Sequence, residues 1–199
     1  MTVIADFASF MVRGYLSPRA TVRSLLDQGH GFNVALLFIA LGYVLETILG
    51  KLLIGNPASA ELPAISFHLL NIMLTLCGFM ILSGLVFWVG RAMGGVATLG
   101  QTQLAISWFM LISSLLTPFA LLALPEHFHN PPSDPDTPID MSDANLTVMM
   151  IVSGVAFWLL SSTIAEAHRF RSVWLVAGVI LAIPIGAAML MVLLGSLAG

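Results

Sequence analysis

Residues 33–54 read NVALLFIALGYVLETILGKLLI, and this stretch decides the fold. It holds seven leucines, three isoleucines, two valines and one phenylalanine. At roughly 0.3–0.6 kcal/mol each on an insertion scale, they favour the bilayer by about 4–8 kcal/mol. The one acid among them, Glu46, costs about 2.5–3.5 kcal/mol at mid-bilayer, so the stretch still inserts. Gly42, Glu46 and Gly50 recur at i+4, which on a helix sets the acid in a stripe of small residues that a second helix can approach closely. Glu46 is therefore expected to face protein rather than lipid.

The rest of the chain has the same character. Of 199 residues, 58% are hydrophobic and 9% charged, against about 25% charged in a soluble domain. No Asp, Glu, Lys or Arg lies between Glu61 and Arg91, between Arg91 and Glu126, between Asp143 and Glu166, or after Arg171. Each gap can hold the roughly 20 residues needed to cross the hydrocarbon core. The short alternating segments of a transmembrane β-barrel are absent. The expected fold is an all-α integral membrane protein, a bundle of five transmembrane helices over residues 33–54, 69–90, 104–125, 145–165 and 173–194. N-terminal amphipathic interfacial helices precede it. Residues 1–32 then form a cytoplasmic, interfacial segment and 33–199 the membrane domain.

In that N-terminal segment, Val3, Ile4, Phe7, Phe10 and Met11 fall on roughly one side of a helix suited to the membrane surface. Ser17-Pro18 restarts the chain as N-cap and first helical residue, and Gly29 stops it. Arg13, Arg19 and Arg23 lie here, and two readings stay open: attraction to anionic headgroups, or orientation alone. With the N-terminus inside, Arg13, Arg19, Arg23, Arg91, Arg169 and Arg171 lie on the inner side and Lys51 on the outer. That asymmetry predicts a cytoplasmic N-terminus and an outside C-terminus.

Polar and small residues recur at helical spacing within the spans. Asn71 and Thr75 share a face with Gly78, Ser107 and Ser114 share another, and Gly178, Ala182 and Gly186 form a small-residue ridge. These faces are expected to meet in the bundle centre, either as helix packing with interhelical hydrogen bonds or as a polar pathway for solute or ions. Glu46 is the intramembrane acid such a pathway would use. Glu166 and Arg169, at i+3, are expected to pair with each other. His127 and His129 in the outer loop do not make a fixed tetrahedral metal set. A net charge of −3 leaves no basic surface for nucleic acid, and Cys77 is the single cysteine. There is no nucleophile elbow, phosphate-binding glycine loop or zinc-protease motif, so neither an enzyme nor a cofactor is expected.

Several short motifs in fixed order resemble the Yip (Ypt-interacting protein) domain family. They are Ser17-Pro18-Arg19-Ala20-Thr21, Glu46 in the first span, Gly94-Gly95-Val96-Ala97-Thr98-Leu99-Gly100-Gln101 before the third, and Glu166-Ala167-His168-Arg169-Phe170 before the fifth. The resemblance covers nearly the whole chain and implies a five-span fold. Eukaryotic members bind Rab GTPases in the early secretory pathway. This chain lacks their long cytosolic N-terminal region and Asp-Leu-Tyr-Gly-Pro signature and looks more like short bacterial members, which implies an inner-membrane location. The expected function is non-enzymatic organisation of the membrane or binding of protein partners, with the bilayer and a membrane protein or second copy as partners. The alternatives are a small transporter or channel using Glu46, and an accessory subunit of a membrane complex.

Overall fold

The computed structural model describes residues 2–54, 64–124 and 142–198, with side-chain surroundings for residues 8–53, 66–124, 142–183, 185 and 189. The loop with His127 and His129, expected on the outer side, lies outside the described residues. Among those described there is no strand. Two short helices open the chain, α1 (Thr2–Leu16) and α2 (Pro18–Asp27), followed by α3 (Phe32–Ile54) and α4 (Ala64–Ala92). Next come α5 (Leu99–Ser113), a 3₁₀ turn (Ser114–Leu116) and α6 (Thr117–Leu122), then α7 (Asp143–Ala167) and α8 (Val173–Ala198). Among the described residues four stretches are long and apolar enough to cross a membrane: Phe32–Leu53, Ser66–Ala92, Leu99–Leu122 and Asp143–Ala167. In α8 the apolar length with described surroundings is the shorter Val173–Ile183.

Local chemistry sets several boundaries. Pro18 at the first position of α2 fits its fixed φ, and Gly29 past the end of that helix adopts φ +67°, which favours glycine. Ser17 makes no side-chain cap, contrary to expectation; its carbonyl instead accepts the hydroxyl of Thr21 at 3.1 Å. At the start of α5 Thr98 and Gln101 form a reciprocal capping box, so this helix begins five residues before the expected 104. The third span is not one smooth helix. Pro118 has no N–H and its ring crowds the preceding turn, and the chain tightens into the 3₁₀ turn before α6.

The hub is α5, on which α1, α2, α3, α4 and α7 all pack. At its centre Trp108 is wholly buried, with the rings of Phe10 and Phe38 at 4.8 and 5.6 Å. Glycine makes one close approach possible here, since a Cβ at Gly14 would lie 2.8 Å from Trp108 Cζ2; a Cβ at Gly42 would make ordinary contact, 3.5 Å from the Leu111 Cα. Tyr15 donates its hydroxyl proton to the Ile112 carbonyl, and burial pushes the phenol up to about 12. Phe10 and Met11, expected at the lipid surface, thus pack on the bundle, and Met11, Val22 and Leu25 join the same core as the long helices.

Polar side chains enter the interior while large apolar ones line the surface. Thr102, Gln103, Ser107, Ser114, Ser161, Ser162 and Thr163 are buried, while Leu37, Leu41, Val44, Ile48 and Leu52 form an exposed stripe along α3. A surface of that kind is stable in oil, where there is no water to exclude it from. The small-residue ridge of α8 is a correction: Gly178 and Ala182 are exposed, and nothing lies within 4 Å of a Cβ at Gly178. Gly50 likewise has open space around it, and the surroundings of Gly186 are outside those described. Gly42 is the member of the proposed packing set that meets another helix. Truncating Trp108 to Ala should cost about 3–5 kcal/mol by leaving an unfilled cavity, whereas Leu37→Ala on the lipid stripe should stay within about 0.5 kcal/mol. Thermal unfolding in detergent checks both.

Candidate functional site

Arg19 and Arg23 are one helical turn apart on α2 and reach the same carboxylate at the end of α7. The Nε–H of Arg19 donates to Glu166 Oε2 at 2.9 Å, and that of Arg23 to Oε1 at 2.6 Å. The Glu166 side chain is 6% exposed and that of Arg23 64%, so the acid is the buried partner and the cations reach in from the rim. Arg19 has further donors, and they tie down the turn after α7: Nη2 to the Phe170 carbonyl at 2.9 Å and Nη1 to that of Arg171 at 3.4 Å. The expected local pair of Glu166 with Arg169 does not form. The Glu166 carboxylate lies under α2, and two guanidiniums from a distant segment satisfy it.

The α7–α8 turn is built to hold its own arginines out. Phe170 N–H bonds to the Ala165 carbonyl at 2.7 Å and Arg169 N–H to that of Glu166 at 3.0 Å, the paired bonds that close a helix around a left-handed residue. That residue is Arg169, at φ +58°, where glycine would be cheaper by about 1 kcal/mol. Beneath the turn His168 is 1% exposed, stacks on Phe170 at 5.6 Å, and presses against glycines at the end of α4 and in the α4–α5 connection. A Cβ at Gly90 would fall 2.2 Å from His168 Cε1, and one at Gly95 2.5 Å from Nδ1. Gly94 turns the chain at φ +86°, and Val96 N–H reaches the His168 carbonyl at 3.3 Å.

These elements enclose a cavity of about 360 Å³. Arg19, Arg23, Leu26 and Asp27 line it from α2, Gln101 from α5, and Glu166, Arg169, Phe170 and Arg171 from the α7–α8 turn. Of the six arginines expected on the inner side, Arg19, Arg23, Arg169 and Arg171 thus meet at one place. Arg91 acts electrostatically on His168, and Arg13 is exposed on α1 away from the cavity lining.

The proposed intramembrane polar set is only partly assembled. Glu46 and Thr75 share a second cavity, of about 100 Å³, with Gly42, Tyr43 and Ser113, and the Glu46 carboxyl bonds to the side chain of Thr117. Glu46 is nevertheless exposed, contrary to the expectation that it faces protein rather than lipid. Asn71 is half-buried and does not line that cavity. Ser107 and Ser114 are buried, with hydroxyls donated to their own helix at Leu104 (2.9 Å) and Leu111 (2.6 Å). Among the described residues no three metal-ligating side chains cluster.

Glu166, Gln101 and His168 entered the sequence reading as motif letters or as a local pair. The signal for the first was present: an acid at the end of an apolar span needs a cation, and Arg19 and Arg23 present two on one helical face. Replacing Glu166 by Gln should cost about 1.5–3 kcal/mol by removing the charged acceptor of both bonds, and should expose the α2–α3 connection to protease. Burial, and then Arg91, lower the pKa of His168 below its ordinary 6.5. The unfolded chain therefore takes up this proton before the folded one, so stability should fall as pH drops below about 6.5. Melting curves from pH 8 to 5 should show that decline, with a shallower slope in His168→Phe.

No curated protein matches this chain, and no solved structure does. The Yip1 domain family model matches it over residues 13–195, a range containing every residue of both cavities. The protein is thus a polytopic membrane protein, and its chain belongs to the Yip1 domain family.

Proposed function

We propose that the protein is a non-enzymatic five-span membrane protein that organises the bilayer or binds protein partners through its arginine-rich end. In this reading α8 (Val173–Ala198) is the fifth span, residues 1–32 are a cytoplasmic arm, and the C-terminus emerges outside. The compartment is a bacterial inner membrane, as the likeness to short family members implies. The observation that carries the reading is the clasp of Arg19 and Arg23 on Glu166, which turns an arm that would otherwise lie loose on the surface into part of a rigid basic end. The positive-inside asymmetry supports the same sidedness, because four arginines gather at that end while Lys51 ends α3 at the other.

A transport role through Glu46 has less behind it. Its cavity is about 100 Å³, and two of the serines named for the pathway are satisfied within their own helix.

Crosslinking in native membranes followed by pull-down in mild detergent should recover a membrane-protein partner or a second copy. Neither being recovered would overturn the proposal. Single cysteines introduced near the termini of a Cys77→Ser background should label from the outside at the C-terminal end only; labelling at the N-terminal end would invert the topology.

A further inference from the structure

We propose that the arginine cavity is a binding site for a phosphate group, supplied by an anionic lipid headgroup. The inference uses the inner-end reading above for the depth of the site, but its chemistry comes from the cavity itself. Four arginines against Glu166 and Asp27 leave two uncompensated positive charges around about 360 Å³. That excess matches a phosphate monoester, which carries about −1.5 to −2 near neutral pH.

The donors are also available. Glu166 occupies only the Nε–H of Arg19 and of Arg23, and the other two nitrogens of Arg19 go to backbone carbonyls. The outer fork of Arg23, and the whole guanidiniums of Arg169 and Arg171, have no acceptor among the described residues. Gln101 is similarly prepared: Thr98 N–H holds its Oε1 at 2.9 Å, which leaves the carboxamide N–H₂ to donate. Planar guanidinium forks suit a phosphate better than a single ammonium would, because each can give two parallel bonds.

Two further features favour this reading over a solvated basic rim. Arg169 keeps a left-handed backbone in which glycine would be unstrained, and strain retained at one residue is found where its side chain is needed. Phe170, which walls the arginine cavity, also walls an apolar groove of about 210 Å³ between α4, α7 and α8, with Val86, Ile164, Val176 and Ile180. A headgroup phosphate in the first and an acyl chain in the second would match the polarity of each.

The test uses the full chain in detergent, with dioleoyl phosphatidic acid, dioleoyl phosphatidylcholine and inorganic phosphate as separate probes. Native mass spectrometry should give a 1:1 phosphatidic acid adduct at about tenfold lower concentration than phosphatidylcholine, and the same lipid should raise Tm. The double variant Arg169→Gln/Arg171→Gln, which spares the clasp on Glu166, should lose that preference while keeping its unliganded Tm, and Arg13→Gln should retain it. Protection by inorganic phosphate alone, lost in the double variant, would support the site but assign it to a soluble ligand. Equal binding of the two lipids by the unaltered protein, or equal loss in Arg13→Gln, would overturn it. Partner capture by crosslinking would survive that result, so the two proposals fail separately.

Discussion

A carboxylate at the end of an apolar helix must be either neutralised or carried out into water. Glu166 is neutralised, and much of the architecture at that end follows. The two cations come from α2, more than a hundred residues away in sequence, so the N-terminal segment has to fold back over the bundle to supply them. Once there, α2 buries Val22 and Leu25, and α1 can set Gly14 against Trp108. Removing one partner from such a group would leave a buried charge uncompensated, which costs more than the pair itself gains. The interaction is therefore better understood as a constraint on topology than as a large source of stability.

Between the two ends, packing replaces charge. Oil offers no hydrophobic drive between spans, so contact depends on close approach and on internal hydrogen bonding. Gly42 lies against the backbone of α5, and Gly90 and Gly95 admit the His168 ring. Ser107, Ser113 and Ser114 donate their hydroxyls to carbonyls three residues back along the chain, so these hydroxyls are satisfied locally. Where Pro118 interrupts that helix, the freed backbone is absorbed in a tighter turn, and Glu46 finds its partner at Thr117 just beyond.

The membrane-crossing helices were legible because their signal is one-dimensional: length without charge is enough. Among the described residues three of the four long apolar stretches fall in the charge gaps, within a few residues, and the fourth, Phe32–Leu53, carries Glu46 and Lys51 and was legible from its apolar content. The arginine cavity was not legible, although every residue in it could be named, because its assembly depends on which helix α2 lies against. Periodicity places Arg19 and Arg23 on one face; it does not say that Glu166 is opposite. The same limit explains the α8 ridge. Small residues at i+4 permit a close approach but do not require one, and Gly178 faces open space. His168 shows the converse: a lone histidine next to an arginine reads as an exposed polar residue, and only the glycines across from it reveal a buried ring.

The two cavities differ in a way that bears on function. Around Glu46 the groups present are a carboxyl, hydroxyls and a phenol, a small set that can satisfy itself by internal hydrogen bonds. Around Glu166 the carboxylate is already satisfied, and what remains is a surplus of donors with nothing to accept them. A surplus of that kind is tolerable only if water or an anion takes it up. The internal ion pair thus does more than neutralise an acid. By engaging the Nε–H of Arg19 and of Arg23, while the Nη groups of Arg19 bond to the Phe170 and Arg171 carbonyls, it holds a fixed wall beside the unengaged arginines of the α7–α8 turn.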